Sequence, residues 1–535
     1  MKIIKRFPKN PFFLIFLLTL GAFLPFIGKP LFVDDHPVYQ EALDLPNHPA
    51  KPYITIETRP GWDKGTIPNE YNPPFYFYYM GYLAKLVGNE IWKAHLFILP
   101  FTLLGLWAFY WISRSYLKHP LLATAFLLIS PHFWITGTSL LVDALLAPMM
   151  LMGIACWIEA WKRQDRSLFL LAGVLLGLAP LVKYTGLLSW AVVVLWSLGQ
   201  KPRKQWTSFL FLLIPFLMMA SWLTWTRLLY QESHFSAVAH QSLHWPTVQH
   251  LVFSFAYASA STFVVCLLLL FLKRLPNLER WPLVLIIYLG GWFAGLSLNL
   301  RPTEGIQMGF WVSSFCLWLM LVTPQSRKEV TAKGWLWGWV LLGLLGLSLA
   351  RDLYCGRYFV IIGPPMIILT LQLLEEKFSP IFQSRQLRYL LFTGIFIPSL
   401  LLTMGDYGQA KLVRRAANDL NLWLKKENIT GKAYYTAATL ESLGFYLDSN
   451  WNPMGPQESM NPGDVVVLPL ATLPSRFFPK LRNPVLVGKF LYQMKNPFRT
   501  ISRFAHAGFY GSIWEPLPFS VTQKPAGVYT VIQEQ

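Results

Sequence analysis

Charge is scarce in this chain. Asp, Glu, Lys and Arg together make up 14% of its 535 residues, against roughly 25% in an ordinary soluble domain. Hydrophobic residues reach 54%, more than a globular fold can place behind its own polar surface, so lipid is the solvent for most of the chain. That balance excludes disorder and collagen. Cysteine is scarce too: Cys156, Cys266 and Cys316 sit inside apolar runs and Cys355 stands alone, which excludes a disulfide framework and a cysteine zinc site. There is no Walker loop, dinucleotide fingerprint, HExxH or Gly-x-Ser-x-Gly, so nothing points to a nucleotide or to a hydrolase elbow. Acidic residues are few, 27 against 46 basic, for a net charge of +19. A soluble protein with that balance would suggest nucleic acid, but in a membrane protein the distribution of Lys and Arg between loops carries the information.

What the chain does have is long apolar runs. A helix needs about 20 apolar residues to cross the hydrocarbon core. Thirteen runs are bounded by charge or turns, near Pro11–Gly28, Ile91–Ile112, Pro120–Ile135, Leu141–Trp161, Leu168–Leu181, Thr185–Leu198, Trp206–Leu229, His250–Leu272, Trp281–Leu298, Gly305–Val322, Trp335–Ala350, Tyr358–Leu374 and Arg388–Met404. The fifth and sixth are short and meet at Lys183, the pattern of a helical hairpin that does not fully cross. With a cytoplasmic N-terminus, 21 basic residues fall on the inner segments, whereas the short outer connections hold Lys183, Arg301, Arg351 and Arg357. The positive-inside rule therefore predicts an N-in topology and an outer C-terminus. The first run lacks a small-residue cleavage site and reads as a retained anchor.

Two hydrophilic regions fall on the outer face. Lys29–Glu90 carries eight acidic and five basic residues with Pro and Gly punctuation, which predicts a folded loop. It ends at Tyr71–Val87, where Pro73 and Pro74 precede an aromatic stripe suited to an interfacial helix. Residues 405–535 read as a small α/β domain, with helical periodicity over Lys411–Asn428, a helix over Ala438–Leu447, and buried strands at Lys432–Thr436 and Asp464–Pro469. Beyond Leu470 the Pro-rich sequence gives weak signals. The predicted fold class is thus an α-helical polytopic membrane protein, residues 1–404, with a small outer α/β domain, residues 405–535.

Three sets of residues can carry chemistry. Asp34 and Asp35 follow the first run. Adjacent carboxylates at a membrane surface repel each other, and desolvation raises the pKa of at least one, which suits a general base or a metal ligand; the alternative is that Asp35 caps a helix beginning near Pro37. Asp143 heads the fourth run, where an acid is costly unless it faces a partner or cavity; the alternative is a helix N-cap. Lys183, Arg301, Arg351 and Arg357 lie on the face where basic residues are disfavoured, so an anionic ligand such as phosphate is one reason for them and snorkelling to headgroups is the other. His234, His240, His244 and His250 share one outer loop without ligand spacing and read as interfacial. Asn428-Ile429-Thr430 is a glycosylation sequon.

Several segments together resemble a known family. The acidic pair after the first span, Asn69-Glu70-Tyr71-Asn72-Pro73-Pro74-Phe75-Tyr76 opening an interfacial helix, Leu141-Val142-Asp143-Ala144-Leu145, Gly177–Thr185 around Lys183, and Arg357-Tyr358-Phe359 followed by Gly363-Pro364-Pro365 are similar to the polytopic GT-C glycosyltransferases. The nearest group is family 39, which includes protein O-mannosyltransferases and the bacterial enzyme that adds aminoarabinose to lipid A. The likeness runs over roughly Met1–Leu374.

The resemblance implies an inverting transfer of a sugar from a polyprenyl-phosphate donor to a lipid, glycan or protein on the outer face of a bacterial plasma membrane, with membrane lipids and no nucleic acid as partners. By position it implies catalytic roles for Asp34, Asp35 and Asp143, with Asp35 standing where many members have Glu. Lys183, Arg357 and Arg301 fall near the donor phosphate, and Asn72 stands where the aminoarabinose enzymes place a phosphate-contacting Lys. A divalent cofactor, Mg or Mn, would be held if anywhere by Asp34 and Asp35. The competing class is a polytopic transporter or lipid flippase, which would show repeated halves and polar residues at mid-membrane; here the halves are dissimilar and the acids lie at the surface. A third reading is an inactive assembly subunit that keeps the fold.

Overall fold

A computed structural model of the protein describes residues 10–52, 72–200, 206–242, 247–263, 282, 286, 288–293, 302–323, 327–349, 354–377, 384–427, 429–436, 442–455, 458–472, 478–511 and 515–535. Among them the helices are α1 (Pro11–Phe23), α2 (Asp35–Asp44), α3 (Phe75–Val87), α4 (Ile91–Ser113), α5 (Pro120–Ile129), α6 (Pro131–Gly137), α7 (Asp143–Arg163), α8 (Arg166–Val182) and α9 (Leu188–Gly199). They continue with α10 (Leu213–Tyr230), α11 (His234–Ser242), α12 (Val248–Thr262), α13 (Pro302–Val322), α14 (Arg327–Leu349), α15 (Gly363–Lys377), α16 (Arg385–Lys426) and α17 (Leu443–Tyr446). The chain divides into two compact units. One takes the described residues within Met1–Ile27, Leu96–Thr138 and Val142–Leu400, and the other takes Gly28–His95, Ser139–Leu141 and Leu401–Gln535.

The first unit is helical. Among the described residues of the whole chain, five helices are long and apolar enough to cross a membrane: Ile91–Ser113, Asp143–Arg163, Trp206–Tyr230, Pro302–Val322 and Arg385–Lys426. The pair α5 and α6, bent by 62° at its break, would make a sixth. Pro131 causes that bend, because it removes a backbone donor and pushes Ser130 out of helical geometry, to ψ 138°. The apolar helices Pro11–Phe26, Arg166–Val182, Tyr184–Gly199 and Lys333–Leu349 are shorter. At 17 residues, α8 is about 25 Å long, less than the roughly 30 Å of hydrocarbon, and α9 is shorter still. The two are short as expected, but they do not pair as a hairpin around Lys183, because α8 packs along α7 and scarcely touches α9. Of the thirteen runs, most of Trp281–Leu298 and the end of His250–Leu272 lie outside the described residues. The span at α7 is 83% buried and that at α10 22%, so α7 is central to its unit and α10 peripheral.

The end signals of α7 and α8 are explicit in the sequence. Lys162 and Arg163 occupy the last turn of α7, Gln164 closes it in the left-handed conformation, and Asp165 caps α8 by accepting from the N–H groups of Ser167 (2.8 Å) and Leu168 (3.3 Å). Basic residues at a helix C-terminus and an Asp at the next N-cap are both favoured by the helix dipole.

The second unit carries the sheet. Its strands are β1 (Ala433–Thr436), β2 (Trp451–Met454), β3 (Val465–Pro469), β4 (Pro484–Tyr492), β5 (Phe498–Arg499), β6 (Ile501–Ser502), β7 (Ala507–Gly508), β8 (Ser520–Val521) and β9 (Gly527–Glu534). Five of these form one sheet in the order β2-β1-β3-β9-β4. β1 pairs in parallel with β2 and β3, and β9 runs antiparallel to β3 and β4. All five residues of β3 are buried, as expected of a central strand. Its Val466 and Leu468 form a core cluster with Met454 and Met460. The expected strands over 432–436 and 464–469 are present, and β4 and β9 supply the order that the Pro-rich sequence concealed. Part of the helix expected over Ala438–Leu447 is α17, and residues 437–441 lie outside the described set. Residues 388–404 and 411–426, read as parts of separate segments, belong to one helix of 42 residues, α16.

In the same unit α3 lies close against α2. A Cβ on Gly81 would come within 2.0 Å of the Ala42 carbonyl oxygen, so only glycine permits that approach. The helix expected at Tyr71–Val87 begins at Phe75, after Pro73 and Pro74, and ends at Gly88 with φ 103°.

Candidate active site

The first unit brings three of the predicted residues together. α7 and α8 form a hairpin of similar arm lengths, which returns the chain to the level at which it began, so the first residue of α7 meets the residue after α8. Lys183 Nζ donates to both carboxylate oxygens of Asp143, at 2.7 and 3.0 Å. Arg357, on the 3-10 turn Gly356–Ile361, places Nε 3.7 Å from Asp143 Oδ2. Tyr358 lies beneath the pair, its ring centroid 3.9 Å from Lys183 Nζ, a distance at which the ring face attracts the ammonium. Lys183 is extended because the chain doubles back onto α8, and a Cβ on Gly186 would stand 2.4 Å from the backbone carbon of Ala179.

Asp143 is 2% exposed and Arg357 6%. A buried carboxylate flanked by two cations is stabilised by them, and two cations against one carboxylate leave one positive charge in excess. Asp143 is the first residue of α7 and Val142 is the N-cap, so Asp143 stands in the first turn, where the helix dipole favours an acid, and is not itself the cap.

The second unit holds the acidic pair. Val33, directly before it, adopts φ 56°, a costly conformation for a β-branched residue. Helix α2 starts at Asp35, and Asp34 is its half-buried N-cap without a side-chain cap bond. Asp35 turns inward. Its Oδ2 accepts from the Phe32 N–H at 3.1 Å and its Oδ1 from the Leu140 N–H at 2.9 Å. Burial pushes the Asp35 carboxyl up from 3.8 to about 7, with Asp406 adding to the rise and Lys29 and the two N–H groups opposing it. Asp35 therefore does not cap a helix at Pro37; it fastens the turn to residue 140. With both its oxygens on backbone donors, the Asp34–Asp35 pair does not form a carboxylate cradle for a divalent ion. Among the described residues no cluster of three or more His, Cys, Asp or Glu gathers as a metal site.

Asn72 is half-buried in this second unit, just before α3. Arg301, Arg351, Asn69, Glu70, Tyr71 and Asn428 lie outside the described residues, as do His244 and the side chain of His240. His234 is buried and lies 2.7 Å through Nδ1 from Tyr184 OH, while His250 completes a capping box with Thr247 at the start of α12.

Sequence reasoning missed a buried ion pair. Lys29 Nζ lies 2.5 Å from Asp406 Oδ2, with side-chain exposures of 1% and 0%. The only local signal was a Lys and an Asp just beyond two apolar runs. Tyr358 was also missed as the ring beneath Lys183.

Residues 71–225 match the family model for dolichyl-phosphate-mannose-protein mannosyltransferase. That stretch includes Asp143 and Lys183 but not Asp34, Asp35 or Arg357, so it covers part of the Met1–Leu374 over which the motifs resemble family 39. Among solved structures, the chain is similar to ArnT from Cupriavidus metallidurans bound to undecaprenyl phosphate, at 14% identity over 83% of this chain and 86% of that one, with a TM-score of 0.44. The apo state of the same protein gives 13% identity, coverage of 81% and 84%, and a TM-score of 0.40. No curated protein matches.

Proposed function

We propose that the protein is an inverting glycosyltransferase, moving a sugar from a polyprenyl-phosphate donor to an acceptor on the outer face of a bacterial plasma membrane. The observation that carries this reading is the buried Asp143–Lys183–Arg357 cluster with its excess positive charge, at the head of a helix within the matched stretch. The family whose model matches is named for a donor of this class, dolichyl-phosphate mannose.

The roles follow from the chemistry. The bond between the anomeric carbon and the phosphate oxygen breaks, and its electron pair leaves on the polyprenyl phosphate. Phosphate monoesters have a second pKa of about 6, so the leaving group is best stabilised as a dianion by fixed cations in a water-poor site. Lys183 and Arg357 supply them, and Asp143 positions both. The acceptor oxygen attacks the opposite face of the anomeric carbon, inverting it, and its proton passes to Asp34. A carboxylate is a weak base for an alcohol, so that transfer comes late, once the new bond has largely formed. Asp35, held by two backbone donors, positions the turn on which Asp34 stands.

The test compares glycolipids, surface polysaccharide and glycoproteins by mass spectrometry in cells with the gene, without it, and with Lys183→Ala. The reading requires one class to lose one sugar mass both in the deletion and in the variant. Unchanged glycans in the deletion overturn it.

A further inference from the structure

The turn carrying the acidic pair is gripped from several directions within its own unit. Lys29 Nζ donates to Ser139 Oγ at 2.9 Å as well as pairing with Asp406, and His95 Nε2 lies 3.0 Å from the Lys29 carbonyl. Asp406 Oδ1 in turn accepts from Thr500 Oγ1 at 2.7 Å and from Tyr510 OH at 2.8 Å. Burial, together with Asp406 and Asp35, pushes the Tyr510 hydroxyl up, so it stays a donor. Its ring packs edge-on to Phe32, with centroids 5.6 Å apart. Further along, Tyr446 OH accepts from the Leu31 N–H at 2.6 Å, and Ser442 Oγ donates to the Val33 carbonyl at 2.9 Å while accepting from the His36 N–H at 3.3 Å. The strained Val33 therefore lies between side chains that belong to residues after 400.

We infer that Asp406 is a positioning residue for the transfer, acting through Lys29 and together with Thr500 and Tyr510 to hold the 29–36 turn so that Asp34 keeps its orientation. This gives the C-terminal segment a role beyond any contact with acceptor: it closes around the acidic turn and holds it in a conformation the turn would not keep alone. A buried Lys with one carboxylate partner is a strong fastening for this purpose, because removing either charge leaves the other uncompensated in a dry site. The inference rests on the proposed function for its catalytic part and on the geometry for its clamping part.

The experiment uses the full chain in detergent and in cells. Hydrogen exchange is followed for the peptide covering 29–36 and for the central strand Val465–Pro469, in the wild type, Asp406→Asn and Thr500→Val. Thr500→Val is nearly isosteric and guards against a variant that fails to fold. The clamp predicts exchange in 29–36 faster by about tenfold or more in Asp406→Asn, and by less in Thr500→Val, with the strand unchanged. Sugar transfer in cells is expected to fall in the same order at equal protein level. Unchanged exchange in 29–36, or equal acceleration of turn and strand, overturns the clamp; a loosened turn with wild-type transfer overturns the positioning role. Absence of transfer in the wild type removes the proposed function alone, because the exchange measurement still reports on the clamp.

Discussion

Replacing Asp35 by Asn separates two effects of the buried acid, one dependent on pH and one not. In the folded protein the carboxyl titrates near 7 and in the unfolded chain near its ordinary 3.8, a difference worth about 4 kcal/mol. Between those values the folded state holds a proton that the unfolded state has released. This contribution to stability is therefore complete below pH 3.8 and is lost as the pH rises through 7. Asn cannot titrate, so the variant lacks this slope. It does lose an acceptor, because one of the N–H groups of Phe32 and Leu140, both now satisfied by the carboxylate, would face an amide NH2. That costs about 1–3 kcal/mol at every pH. The wild type should accordingly be the more stable of the two at pH 4, and the gap should close or reverse by pH 8. Thermal unfolding of both full-length proteins in one detergent across that range measures the difference, in which groups common to both cancel. Parallel curves with a constant offset would refute the reasoning, since they would mean that Asp35 is ionised throughout.

Asp34→Asn is expected to abolish transfer at normal expression and membrane insertion, and full activity in that variant removes the base assignment. Asp143→Asn leaves Lys183 and Arg357 without their carboxylate and should cost about 3–5 kcal/mol; added undecaprenyl phosphate should then raise its melting temperature more than it raises that of the wild type, and an equal shift would count against a phosphate site. Gly81→Ala forces α3 away from the Ala42 carbonyl and should destabilise by about 1–3 kcal/mol, read as a lowered melting temperature; an unchanged one would mean that the α2–α3 contact gives way freely.

The residues of the Asp143 cluster were visible in the sequence because each is a charge set in apolar surroundings, and such a charge is conspicuous without knowledge of its partner. Their pairing was not visible, since it depends on the hairpin returning Lys183 to the start of α7. Lys29 and Asp406 were harder still. Each reads as the polar flank of an apolar run, and they are 377 residues apart. The strands β1 and β3 showed as short apolar runs, but β4 is half-exposed along most of its length and gave no such contrast. The continuity of α16 was hidden for a related reason. Hydropathy changes abruptly near Gly405 while the backbone does not, because a change from apolar to charged residues alters the helix's surroundings without interrupting its hydrogen bonds.

The hairpin of α7 and α8 also bears on how the protein is made. Asp143 and Lys183 are separated by 40 residues and one tight turn, so they emerge from the ribosome close together. A hairpin that enters the bilayer with these charges already joined presents a dipole to lipid where two separate ions would each meet a steep barrier. Arg357 is synthesised long afterwards. The net positive charge of the cluster is therefore acquired late, when most of the surrounding helices have been inserted, and the assembling chain is spared an unbalanced cation during the steps in which it is most exposed to lipid.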